Sequence, residues 1–150
     1  MKEAVSIKIK ASHRVDGNED VLEYEYEGKF RSTDHSVVFM YESYADEENK
    51  ADIDKNIITV KDGLVEHTKR GAINTRFVFR KNECTKVAYS TAYGGYNMDL
   101  YTHDIQVKRL EDEMKLFIRY DLLEGIEPGV APCLNKIISS VDLEILISSK

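Results

Sequence analysis

Apolar and polar residues alternate along most of this chain with a period of two. Val5, Ile7 and Ile9 interleave with Ser6, Lys8 and Lys10, a pattern that predicts a strand with one buried face and one wet face. Leu22, Tyr24 and Tyr26 interleave with Glu23, Glu25 and Glu27, which predicts a second strand. Gly28 interrupts that run and predicts a bulge or bend. Ser36 to Tyr41 is an apolar strand, and Asn56 to Lys61 resumes strand character after an acidic stretch. Met114, Leu116, Ile118, Tyr120 and Leu122 alternate most regularly of all. In the last strand Val141, Leu143, Ile145 and Ile147 share a face, with Leu146 the exception.

Turn chemistry separates these runs. The segment from Val15 to Asp20 carries Asp-Gly and Asn, and Asp62-Gly63 is the strongest hairpin signal. Gly71-Ala72 reads as a tight connection, and Lys81-Asn82, Gly94-Gly95 and Glu111-Asp112 as further turns. The central stretch, Leu64 to Thr102, contains two parity sets before Gly71. Leu64, Glu66, Thr68 and Arg70 form one; Val65, His67 and Lys69 form the other. Apolar members fall in both, so the pattern leaves open which set faces inward. Thr75, Phe77 and Phe79 then form a core face. Met98 and Leu100 are even-numbered whereas Ile105 and Val107 are odd-numbered, so a β-bulge is expected between Tyr101 and Asp104.

About ten strands joined by short turns, with no helix left over, predict an all-β fold. The expected architecture is one antiparallel up-and-down barrel of about 8–10 strands, a single domain over residues 1–150. The segment from Glu124 to Lys136 holds both prolines and reads as a long loop. Closure removes exposed sheet edges, and a barrel of this size is either filled by side chains or holds one small ligand.

Composition narrows the function classes. Hydrophobic residues make up 42% and charged residues 32%, which fits a globular chain. The formal net charge is -6 and the pI about 5.3, so nucleic acid is not an expected partner. Lysines interrupt the apolar N-terminal run and no stretch approaches a membrane span, so neither a signal peptide nor a membrane role is expected. Cys84 and Cys133 form no CxxC motif; they are expected as reduced thiols in a cytoplasmic protein. The acidic run that includes Glu42, Asp46, Glu47, Glu48, Asp52 and Asp54 lacks the glycine and final glutamate of an EF-hand loop and is expected to be solvated. No HxH or HxxxH spacing, GxSxG elbow or phosphate loop occurs, so no metal, cofactor or catalytic residue is assigned.

Several segments resemble a known family. KRGAINTRFVF (Lys69 to Phe79), YSTAYGG (Tyr89 to Gly95), DLYTHDIQV (Asp99 to Val107) and IRYDL (Ile118 to Leu122), with Asn135 before the last strand, are similar in order and spacing to the YwiB-like family of uncharacterised small bacterial proteins. Ala92 stands where that family usually has proline. The resemblance implies a calycin-like, lipocalin-like barrel and no established activity, because shape does not carry function.

The family's recurrent polar positions correspond to Arg70, Tyr89, Thr91, Tyr93 and Thr102. A binding reading makes Arg70 an inward anchor for a carboxylate or phosphate, over a wall of Phe77, Phe79, Met98, Leu100, Ile118 and Tyr120. The ligand is then a small amphipathic or acidic molecule. A structural reading has Arg70 capping strand-end carbonyls, with Glu66 or Glu124 as partner. A second function class is a filled barrel acting as an interaction module, including a homodimer through an edge or a Tyr surface. An enzyme needs Arg70, His67 or His103, and a carboxylate to converge, and has the least support.

Overall fold

The computed structural model describes residues 1, 3–44, 52–125 and 136–150. Ten strands form: β1 (Ala4–Val15), β2 (Asn18–Ser32), β3 (Ser36–Tyr44), β4 (Ile53–Lys61), β5 (Leu64–Arg70), β6 (Ile73–Phe79), β7 (Cys84–Thr91), β8 (Gly94–Arg109), β9 (Glu113–Glu124) and β10 (Ile137–Ser149). Each pairs antiparallel with its neighbour in sequence, and β1 pairs with β10 to close the barrel. No helix occurs among the described residues, so none is long and apolar enough to cross a membrane. Residues 126–135 of the segment expected as a long loop, and residues 45–51 within the acidic run, lie outside the described residues.

Tight turns set the registers. Asp16 and Gly17 both have positive φ, at 48° and 80°, the conformation that a two-residue hairpin with right-handed twist requires. Gly63 has φ 71° at the Asp62-Gly63 hairpin, where Lys61 opposes Leu64. The expected bulge is present: the β8–β9 register shifts between Thr102 and Asp104. One extra residue there keeps Met98, Leu100 and Thr102, and then Ile105 and Val107, on the same face. Gly28 is not a bulge. Its pairings with Val5 and Tyr41 run on unbroken; the missing side chain instead lets strands approach, since a Cβ would lie 2.6 Å from Ile7 Cδ1.

Alternation fills the interior. Val5, Ile7, Phe39, Ile58, Val65, Phe79, Leu100, Met114, Leu116, Ile118, Val141 and Ile147 are all fully or almost fully buried and form one core. Burying each such side chain contributes about 1.5–3 kcal/mol. The strands are unequal in length. β3 pairs with β2 only over Gly28–Ser32, and β7 pairs with β8 only from Gly94 to Tyr101. The ribbon β3–β7 therefore joins the long sheet β2-β1-β10-β9-β8 over only part of β2 and part of β8.

On the outer face, the Asp142 carboxylate joins three strands. It accepts from Arg119 Nε at 2.8 Å and Arg14 Nη1 at 3.2 Å. The Arg119 hydrogen bond, with Arg14 adding to it, holds Asp142 below the usual carboxylate range. Cys84 is disulfide-bonded, which corrects the expectation of a reduced thiol at that position and removes the thiol argument for a reducing compartment.

Candidate functional site

The β5–β6 connection decides which side chains enter the barrel. Lys69 opposes Thr75, His67 opposes Phe77 and Val65 opposes Phe79. This register leaves three residues, Gly71 to Ile73, between Arg70 and Asn74. A two-residue turn would have placed Arg70 opposite Ile73, on the Phe face. The longer connection flips the parity. Asn74 holds it, with Gly71 N–H donating to Asn74 Oδ1 and Asn74 Nδ2 donating to Gly71 O, both at 3.3 Å.

Arg70 consequently lies on the outer face with its side chain exposed. It does not reach the interior, which corrects the inward-anchor expectation. The inward cation is Lys69, half-buried and paired with no carboxylate among the described residues. The wall residues divide into two groups. Phe79, Leu100, Thr102, Ile118 and Tyr120 are buried in the packed waist, where the Phe79 and Tyr120 rings lie 5.0 Å apart. Burial pushes the Tyr120 phenol up to about 12. Phe77, Tyr89 and Met98 face inward but are only partly buried, at one end of the barrel. Thr91 is tied into its own hairpin, accepting from Tyr93 N–H at 3.1 Å, and Tyr93 is 95% exposed.

That end of the interior is polar. Inward residues of β3, β4, β5 and β6 place Tyr41, Ser43, Asp54, Asn56, His67, Lys69 and Thr75 on neighbouring strands. Asn56 Nδ2 donates to Ser43 Oγ at 2.8 Å and to the Asp54 carbonyl at 3.4 Å. A carbonyl only accepts, so the amide orientation is fixed and Asn56 Oδ1 faces His67 Nε2 at 2.9 Å. His67 Nε2 must then be the donor, which leaves the lone pair on Nδ1. Burial, with the Lys69 charge adding to it, lowers the His67 imidazole to about 4, so the ring is neutral near pH 7. Burial, reinforced by Tyr26, pushes the Tyr41 phenol well up.

An aromatic row continues this end. Tyr26 stacks on Tyr41 at 4.7 Å, the Tyr41 ring lies 6.4 Å from His67, and His67 lies 6.3 Å from Phe77. The inward residues at this end thus combine a row of rings with hydrogen-bonding groups, a pairing that orients small ligands where a site has both. Sequence reasoning missed Ser43, Asp54, Asn56 and Lys69. Asp54 falls in the acidic run expected to be solvated, yet it is 1% exposed. Its even parity with Asn56, Ile58 and Val60 was the available signal.

The histidines do not converge with Arg70. His103 lies on the outer face, with Nε2 2.7 Å from Asp121 Oδ2, and Ser140 Oγ donates to Asp121 Oδ1 at 2.7 Å. The serine is bonded to the carboxylate rather than to the imidazole, so no nucleophile–base pair forms. No group of three or more His, Cys, Asp or Glu residues that could hold a metal ion occurs among the described residues.

A hollow of about 1030 Å³ lies elsewhere and touches three consecutive residues on each of β1, β2, β8, β9 and β10. At its centre Leu116 and Ile145 are buried, whereas the flanking Lys8, Lys10, Glu23, Glu25 and Lys115 are exposed. It therefore opens on the outer surface of the long sheet and not into the barrel.

Comparison with known proteins bears on the fold. A family model described as a domain of unknown function, DUF1934, matches residues 7–128. The uncharacterized β-barrel protein YwiB of Bacillus subtilis (strain 168) is 26% identical over 123 residues, 82% of this chain and 84% of that protein. The crystal structure of the ywiB protein from Bacillus subtilis superposes with a TM-score of 0.80 at 20% identity, covering 99% of this chain and 92% of that one. The YwiB-like resemblance read from the residues is borne out, as is the all-β barrel.

Proposed function

Because the chain belongs to the DUF1934 family, a family of unknown function, we propose on the geometry alone that it binds a small ligand with an acidic group and an aromatic or apolar body. The ligand enters the polar end of the barrel. The observation that carries this reading is Lys69, an inward ammonium with no carboxylate partner among the described residues, beside the neutral His67 and the Asn56–Ser43 chain. A half-buried ammonium that makes no salt bridge among the described residues favours an incoming anion. The packed waist below Phe77 limits the ligand to a short body and argues against a long acyl chain.

Thermal-shift and calorimetric titration with small aromatic carboxylates tests the reading. The expected result is binding of a probe such as 3-phenylpropionate that weakens at least about tenfold in Lys69→Met and is unchanged in Arg70→Met; a salt-bridged carboxylate is worth about that much. No binding of any aromatic acid, or equal loss in both variants, contradicts it.

A second reading, as an interaction module, rests on the outer hollow of the long sheet. There Phe117 and Leu146 face outward and half-buried on a surface where charge alternates by strand: Glu23 and Glu25 on β2, Lys8 and Lys10 on β1, Glu144 on β10 and Lys115 on β9. Both charge signs on one face suit a homodimer. Light scattering that gives a concentration-independent monomer contradicts this reading.

A further inference from the structure

Two buried polar atoms beside Lys69 lack a hydrogen-bond partner: Asp54 Oδ2 and Thr75 Oγ1. Asp54 is 1% and Thr75 7% exposed, so neither atom is satisfied by bulk solvent. A buried hydrogen-bonding atom without a partner costs about 1–3 kcal/mol, and more when it is charged. Such groups are rare in folded proteins and call for an explanation. Here both belong to inward-facing residues, on the two strands that flank β5 at Lys69.

Their placement is fixed by the fold. Thr75 sits directly opposite Lys69. Asn56 is the β4 partner of Lys69, so Asp54, two residues along β4, is the diagonal neighbour, at a typical spacing of about 7–8 Å. The other Asp54 oxygen is already engaged: Ile73 N–H donates to Oδ1 at 3.4 Å. Gly71 packs against the same aspartate, and a Cβ there would lie 2.6 Å from the Ile53 carbonyl oxygen. The carboxylate is thereby held with Oδ2 free to accept.

An ammonium and a hydroxyl on one side, and an unpaired carboxylate oxygen a diagonal step away, form a matched pair of opposite charges. A ligand with an acid alone would satisfy Lys69 and Thr75 and leave Asp54 Oδ2 repelling it. A ligand with an amine alone would leave Lys69 unanswered. We infer that the ligand is zwitterionic, a small aromatic or apolar amino acid or similar amino-carboxylate. Its carboxylate meets Lys69 Nζ and Thr75 Oγ1, and its ammonium donates to Asp54 Oδ2. The Tyr41, His67 and Phe77 rings share the same inward face and are available to the ligand's side chain. This inference rests on the binding reading above and adds the second charge.

Three probes that differ by one group each test it by calorimetric titration at pH 7: L-phenylalanine, 3-phenylpropionate, which lacks the amine, and 2-phenylethylamine, which lacks the carboxylate. The expected result is that L-phenylalanine binds at least about tenfold more tightly than either analogue. In Asp54→Asn, which keeps an oxygen for Ile73 N–H, the preference over 3-phenylpropionate falls to within about threefold. The wild-type comparison needs no variant and so stands even where Asp54→Asn fails to fold. If 3-phenylpropionate binds as tightly as L-phenylalanine, the zwitterion inference is overturned while the Lys69 reading survives. If 2-phenylethylamine binds most tightly, Asp54 alone is the anchor and the inference is overturned. If none of the three binds, the binding reading fails and takes the inference with it.

Discussion

Single residues carry most of the weight in this molecule, and His67 is the clearest case. Its lowered pKa makes the native state bind fewer protons than the unfolded chain between about pH 4 and the ordinary histidine value of 6.5. Stability from this group is therefore fully present above pH 6.5 and is lost as pH falls toward 4. The loss amounts to on the order of 3 kcal/mol. Urea unfolding of the wild type and of His67→Phe across that range should show a steeper decline in the wild type; parallel curves would mean that the imidazole is not buried neutral. Glycines give a second residue-scale prediction. Gly71→Ala brings a Cβ against the Ile53 carbonyl oxygen and the Asp54 side chain, so a loss of about 1–3 kcal/mol is expected in chemical denaturation. Gly63→Ala meets nothing within 4 Å and should cost only the strain of a positive φ, about 1 kcal/mol.

Whole strands were legible in the sequence where one face is purely apolar. The β9 alternation from Met114 to Leu122 and the β8 parity change both translated directly, the latter into the bulge at His103. Legibility stopped at the β5–β6 connection. Glu66, Thr68 and Arg70 alternate as regularly as His67 and Lys69, and an amphipathic Lys or Arg fits either face of a sheet. Only the loop length separates the two parities, and a Gly-Ala turn does not announce a third residue. Asp54 was hidden differently: its acidic neighbours suggested solvent, while its burial depends on pairing with Ser43 across β3 and β4. Between strands, Asp142 provides the element-scale prediction. Asp142→Asn weakens ties from β10 to β1 and β9 at a largely solvated site, so a cost of about 1 kcal/mol is expected. It should shrink in high salt, and a salt-independent loss would assign the effect to packing.

At the scale of the whole molecule, the barrel is a packed waist with one polar end. The sequence places Leu100 and Ile118 in a ligand-contacting wall, yet they are buried in the core. Leu100→Ala should cost about 2–5 kcal/mol of stability. Unequal strand lengths also predict uneven protection. Among the described residues, β2 before Gly28 and β8 after Thr102 have no partner strand on one side. Their amides should exchange faster than those of β1, β9 and β10 in hydrogen-exchange measurements. The central claim is that the interior at Lys69, and not the outer surface at Arg70, receives a ligand. A two-dimensional NMR titration with L-phenylalanine tests it most directly. Shifts concentrated at Tyr41, Asn56, His67, Lys69 and Thr75 are predicted, with Arg70, Arg76 and Ser90 unmoved. Shifts confined to the outer residues, or none at saturating probe, would contradict it.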